Sequence, residues 1–170
     1  MSKNIDLSVL LPVYGGDDAD HLNTAIVSLV KQTRPPDELV VVQDGPLTQD
    51  LDSVIDEWRG NERVPVTQVR LSENIGLGGA LREGLKQCSN EYVARMDADD
   101  ISVPDRFERQ AKFLAEHSEV DLIGGYIAEF DDDPEKISAR REVPTDHEDI
   151  VQMARFRSPF NHATVVMRTK

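Results

Sequence analysis

The sequence predicts an α/β fold, a Rossmann-like open sheet of mostly parallel strands flanked by helices in three α/β/α layers. Three observations predict it. Residues 7–13 and 39–42 are short runs of mainly branched apolar side chains, the pattern of strands buried on both faces. Between such runs, apolar residues recur at helical spacing. The links between elements are about two to six residues long, as in wound α/β units, whose crossovers are expected to be right-handed.

The elements follow in order. A first strand over residues 7–13 is broken by Tyr14-Gly15-Gly16. From residue 20 to residue 32, Leu22, Ala25, Ile26, Leu29 and Val30 form one helical face, which Thr33-Arg34-Pro35-Pro36 ends. The second strand, 39–42, closes on Gln43-Asp44-Gly45-Pro46, and Leu51, Val54, Ile55 and Trp58 share a face of the next helix. Residues 64–71 read as a third strand, followed by a turn and a helix carrying Leu77, Ala80, Leu81 and Leu85. A fourth strand, 91–96, runs into Asp97-Ala98-Asp99-Asp100, and Pro104 is expected to open a helix bearing Phe107, Gln110, Ala111 and Leu114. Strands are predicted at 120–123 and 126–130, around Gly124-Gly125. Beyond them lie a polar turn from Asp131 through Asp132 to Glu135, a hairpin arm at 137–143, a short helix at 146–154 and a last strand at 163–167.

At 170 residues the chain is the size of one domain and can bury a core without help. No run approaches the roughly 18 to 20 apolar residues of a membrane span, and the apolar run after Asp6 is too short for a signal peptide, so a cytoplasmic chain is expected. The single Cys88 excludes an internal disulfide and a thiolate zinc core, and is expected at a helix end as a small hydrophobe. With 19 Lys+Arg against 32 Asp+Glu, the net charge of −13 argues against a nucleic-acid partner. A small phosphorylated ligand would need a divalent cation beside it.

Ligands of open α/β sheets bind beyond the carboxyl ends of the strands, so the loops there carry the functional weight. Asp97, Asp99 and Asp100 put three carboxylates within four positions at a strand end, where their repulsion is relieved by a hard cation such as Mg²⁺ or Mn²⁺. The competing reading is a solvated acidic turn in which Asp100 or Ser102 caps the next helix. Asp44 has a similar alternative as a turn residue before Gly45. Gly76-x-Gly78, with Asp97 about 20 residues on, invites a dinucleotide-binding fingerprint. That match fails: its third glycine position is Leu81, it sits on the third unit, and one ribose acid does not require three carboxylates.

Five motifs in order resemble the N-terminal part of the family 2 glycosyltransferases, inverting enzymes with the GT-A fold, over nearly the whole chain. They are residues 8–14, 28–33 (Ser28 to Gln32-Thr33), 38–45 (ending Asp44-Gly45), 74–77 and 96–100, the last followed by Pro104 and Arg106. The resemblance implies transfer of a sugar from a nucleotide-diphosphate sugar, a UDP-sugar by preference, to a saccharide or glycolipid acceptor. It implies that Pro12, Val13 and Tyr14 line a base pocket, that Asp44 hydrogen-bonds the base, and that Asn74 and Gly76 lie near the nucleotide. Asp97 would approach the ribose or sugar, and Asp99, with Asp97, would hold a divalent metal, Mn²⁺ or Mg²⁺. His162, in a stretch like the one preceding a late strand in the family, is the candidate near the donor diphosphate or catalytic centre; His21, His117 and His147 read as surface residues.

Under this resemblance residues 1–100 form the nucleotide-binding part of a single domain, and 101–170 begin the acceptor side. The catalytic base is expected beyond Lys170, in a longer protein associated with the inner face of a membrane. Gln43 departs from the pattern, standing where many relatives carry a second Asp. A noncatalytic nucleotide-sugar-binding module and a sugar nucleotidyltransferase are the alternatives, the second disfavoured by the acidic loop at Asp17-Asp18.

Overall fold

The computed structural model describes residues 5–131 and 133–169; Asp132 of the predicted polar turn and Lys170 lie outside them. The strands are β1 (Leu7–Tyr14), β2 (Glu38–Asp44), β3 (Val66–Arg70), β4 (Tyr92–Arg95), β5 (Leu122–Ile123), β6 (Ile127–Phe130), β7 (Ile137–Arg141) and β8 (Val166–Arg168). The α-helices are α1 (Ala19–Val30), α2 (Gln49–Trp58), α3 (Leu77–Leu85), α4 (Arg106–Glu116) and α5 (His147–Ala154). The main sheet has the order β3-β2-β1-β4-β8-β5, and β6 and β7 form a separate antiparallel pair. Pairings β1–β2, β1–β4 and β2–β3 are parallel, whereas β8 runs antiparallel to both β4 and β5. The predicted open, mostly parallel sheet is therefore present, with one reversed strand.

Strand alternation divides the core between the two faces. Leu7, Val9, Leu11 and Val13 of β1, with Leu39 and Val41 of β2, pack among Leu22, Ile26 and Leu29 of α1, Leu51 and Ile55 of α2, and Phe107 and Leu114 of α4. Leu10, Val40, Val42 and Val93 face the other way, against Ala80 and Leu81 of α3. There α3 lies so close that a Cβ on Gly84 would stand 2.4 Å from both Leu10 Cδ1 and Val42 Cγ2. Asp18 starts α1 by accepting from the Asp20 and His21 amides, and Thr48 starts α2 by accepting from Leu51. Cys88 follows α3, half-buried against the second core, where burial pushes its thiol up to about 12.

Two predicted elements differ. Pro104 sits in the turn before α4 rather than opening it, because its carbonyl accepts from Thr33 N at 2.8 Å and the helix begins at Arg106. The strand expected over 163–167 is a 3₁₀ turn, His162–Thr164, followed by the short β8. Thr164 Oγ1 donates to Asn161 O at 2.7 Å and accepts from Gly125 N at 2.8 Å, closing a turn where β-branched residues suggested extension.

Candidate functional site

The strand order reverses direction after β3: β1 to β2 to β3 winds one way, and β4 returns to the far side of β1. Such a switch point leaves a crevice at the carboxyl ends of the central strands. Register sets what stands at its rim. Tyr14 pairs with Asp44 across β1 and β2, while β4 pairs only as far as Leu10 with Arg95, so residues 12–14 project past its end. The cavity here has a volume of about 540 Å³. Pro12, Val13, Tyr14, Asp44, Asn74, Gly76, Asp97 and Asp99 all line it, joined by Asp17, Leu77, Arg95 and Ala98, which sequence reasoning did not single out.

Asp44 does more than face the cavity. It is buried, and its Oδ1 accepts from Ile75 N at 2.7 Å, tying the end of β2 to the loop after β3. That loop passes so close to Gly45 that a Cβ there would lie 2.6 Å from Asn74 N, and Gly45 also has φ +84°. Only glycine meets both demands at low cost. Asn74 Oδ1 then accepts from Gly76 N at 3.1 Å, at the N-cap residue just before α3. Gln43 turns to the opposite face, where its Nε2 donates to Asp52 Oδ1 at 2.8 Å; it does not line the cavity.

The acidic wall is built around a buried cation. Arg95 is 4% exposed, and its two terminal nitrogens fork onto the two carboxylate oxygens of Asp97. A buried guanidinium requires such a partner, and the fork fixes the carboxylate in both position and plane. Arg95 Nε is buried without a hydrogen-bond partner. The alternation of residues 92–95, all buried, hides this arginine from a sequence reading that expects charge at strand ends to face water. Arg106 braces the same strand end by donating to Arg95 O at 2.9 Å; burial lowers its guanidinium to about 10.

Asp17 brings a fourth carboxylate, held by the Tyr14 amide at 2.9 Å. Burial first, and then the charges of Asp99 and Asp97, outweigh that hydrogen bond and raise its pKa. Asp100 is likewise raised, by burial and then by Asp97 and Asp99, against the opposing pull of Arg95 and Arg106. Asp97, Asp99 and Asp100 each offer an oxygen, all within 4.8 Å of one another. An all-oxygen donor set that crowds like charges fits a hard divalent cation. With Asp97 forked by Arg95, the exposed Asp99 is the carboxylate most open to it.

His162 stands apart from this wall. It begins the 3₁₀ turn, is exposed, and does not line the cavity, although it feels the charges of Arg95 and Asp97. Partial burial of the ring and then the charge of Arg95 lower its pKa against the opposing pull of Asp97. His21 and His147 are exposed helix residues, and His117 ends α4 against the Phe113 ring. Among the described residues no helix is long and apolar enough to cross a membrane.

Comparison with known proteins gives a consistent result. The family described as "Glycosyl transferase family 2" matches residues 8–169. An uncharacterized glycosyltransferase from Haemophilus influenzae is 46% identical over 158 residues, covering 93% of this chain and 58% of the relative. The Escherichia coli UDP-Gal:alpha-D-GlcNAc-diphosphoundecaprenol beta-1,3-galactosyltransferase is 36% identical over 161 residues, 95% of this chain and 58% of the relative. The chain thus spans a little under three-fifths of the length of these relatives. Among solved structures, S. aureus TarS 1-349 in complex with UDP is 27% identical, with a TM-score of 0.60 over 69% of this chain and 34% of that one. In its complex with UDP-GlcNAc the TM-score is 0.74, at 23% identity, over 97% of this chain and 46% of that one, which supports a common fold.

Proposed function

This chain belongs to glycosyltransferase family 2, and we propose from that premise that it forms the donor-binding part of an inverting, metal-assisted enzyme. The enzyme moves a sugar from a UDP-sugar to an acceptor hydroxyl. The observation that carries this reading is the convergence of all four strand-end loops, with eight of the nine expected residues, on one cavity. His162, the ninth, lies outside its lining and is proposed to approach the donor diphosphate.

In this reading Pro12, Val13 and Tyr14 receive the nucleotide base. Asp44 serves it with the oxygen that Ile75 N leaves free, and Asn74 and Gly76 flank the nucleotide. Asp97, oriented by Arg95, takes a ribose or sugar hydroxyl. Asp99 holds the divalent metal, Mn²⁺ or Mg²⁺, with an oxygen of Asp97 or Asp100 within reach. When bound, that cation would neutralise charge on the departing nucleoside diphosphate. A uridine donor is supported by the UDP-bound relative and by the printed activity of the E. coli relative, whose name also supports a lipid-linked saccharide acceptor. Such an acceptor would bring the full enzyme to the inner face of a membrane. The base that deprotonates the acceptor is proposed to lie outside this span, on the part of the relatives' length not covered here.

Calorimetric titration of UDP, GDP and a nicotinamide dinucleotide, with and without Mn²⁺, tests the reading on the wild type and on Asp99→Ala. UDP binding that requires Mn²⁺ and is lost in the variant is expected. Failure of both UDP and GDP on folded protein would refute the donor site, and a preference for the dinucleotide would restore the rival fingerprint.

A further inference from the structure

The segment from Ser28 to Thr33, one of the five ordered motifs, contributes no residue to the cavity lining. Its side chains instead hold the loop that carries the carboxylates. Residues 96–105, between β4 and α4, form no strand or helix; Met96 and Ala98 anchor the start of this loop in the main core, whereas Ile101 and Val103, nearer α4, are exposed. Beyond Asp100, packing of those two side chains does not fix the loop. The end of α1 supplies hydrogen bonds that do.

Gln32 is 1% exposed, and both ends of its amide are engaged. Its Nε2 donates to Val103 O at 2.7 Å, to its own helix at Ser28 O at 3.0 Å, and to Ser102 Oγ at 3.3 Å. Its Oε1 accepts from Phe107 N at 3.2 Å, at the start of α4. Beside it Ser28 Oγ accepts from Ser102 N at 3.0 Å, and Thr33 N donates to Pro104 O at 2.8 Å. The backbone from Ser102 to Phe107, immediately after Asp99 and Asp100, is thereby fastened to a helix some 70 residues earlier in the chain.

We infer that Gln32 is the positioning residue of the carboxylate loop, setting the place of Asp99 and Asp100 and through them the affinity for a divalent cation, a role that rests on the donor-site reading above. Primary amides suit the task. A carboxamide donates to a carbonyl and accepts from an amide at once, whereas a carboxylate would oppose the carbonyls and an alkyl group would satisfy neither. Without the Gln32 amide the buried Phe107 N–H would lose its acceptor and the Val103 carbonyl would keep only the Arg106 amide at 3.1 Å, which would favour another loop path.

The test is Mn²⁺ titration followed by electron paramagnetic resonance of the free ion, on wild type, Gln32→Leu, Gln32→Glu and Ser8→Ala. Ser8 is the control. Its fully buried hydroxyl makes a comparable clamp, to Glu38 and to Asn90 N, at the opposite, amino-terminal end of the central strands. Both Gln32 variants are expected to weaken Mn²⁺ binding about ten-fold or more, as is usual when support behind metal ligands is removed. Ser8→Ala should leave it unchanged even where its melting temperature falls as far. Equal Mn²⁺ affinity in Gln32→Leu and wild type, or an equal loss in Ser8→Ala, would overturn the inference. Should the Gln32 variants fail to fold, Ser28→Ala removes the bond from Ser102 N, together with the hydroxyl's donation to Ala25 O within α1, and is expected to show a smaller loss of the same kind. If the wild type itself binds no Mn²⁺, the donor-site reading is what fails. Hydrogen exchange then decides the positioning role: amides of residues 97–103 should exchange faster in Gln32→Leu, and unchanged exchange would reject it.

Discussion

Helices α4 and α5 both present apolar residues at helical spacing, yet they meet different fates. In α4, Phe107, Ala111 and Leu114 are buried beneath the sheet; in α5 none of the residues is, and Val151 stays 43% exposed. The contrast extends to their surroundings. Around α4 the core is continuous from Ile5 to Leu114, whereas between Ser118 and Phe160 no described residue is fully buried. What holds the later region is polar: Asn161 Nδ2 donates to Gly125 O at 2.9 Å and to Arg141 O at 3.1 Å, and Gln110 Nε2 reaches from α4 to Thr164 O at 2.9 Å. Spacing defines the apolar face of a helix. Whether anything covers that face depends on the rest of the fold, and stability follows the covering.

The largest expected effect comes from the covered side. Phe107 is fully buried, and Phe107→Ala should cost about 3 to 5 kcal/mol, read as a shift in the urea midpoint. A loss below about 1 kcal/mol would mean that α4 is no more firmly packed than α5, and the contrast between the regions would fall. Asn161→Ala should cost less, about 1 to 3 kcal/mol, because the Arg141 carbonyl loses its Asn161 donor and the Gly125 carbonyl is left with the Thr164 hydroxyl alone. Its signature is spatial. Hydrogen exchange should quicken in β6 and β7 while the amides of β1 and β2 keep their protection, whereas uniform quickening would show the two regions to be one cooperative unit.

Much of the first region was legible because its physics is local. Strands buried on both faces read as apolar runs, and one-sided helices repeat at 3.6 residues, so β1 to β4 and α1 to α4 stand within a few residues of where pattern places them. The direction and position of β8 were not legible, since insertion between β4 and β5 depends on partners far away in sequence. At the site, eight expected residues share the cavity because strand-end loops must converge at a switch point. Arg95 was missed because a buried charge carries no sequence signal apart from its partner, and Asp97 two residues on was already claimed by the acidic cluster. Asp17 was missed because it reads as one more polar residue of a glycine-rich turn. Gln32 was part of a motif that the resemblance left without a task.

The smallest expected effect belongs to Phe156, two residues beyond the end of α5, whose ring is 89% exposed. A side chain that leaves little surface exposed only in the unfolded chain has little to lose, so Phe156→Ala should shift stability by no more than about 0.5 kcal/mol. The same variant sharpens the comparison in the other direction. A cost above about 1 kcal/mol that grows with protein concentration, with a matching change in sedimentation, would mean that a second copy covers this aromatic in solution. The later region would then be finished by association, and its lack of a core would describe the single chain alone.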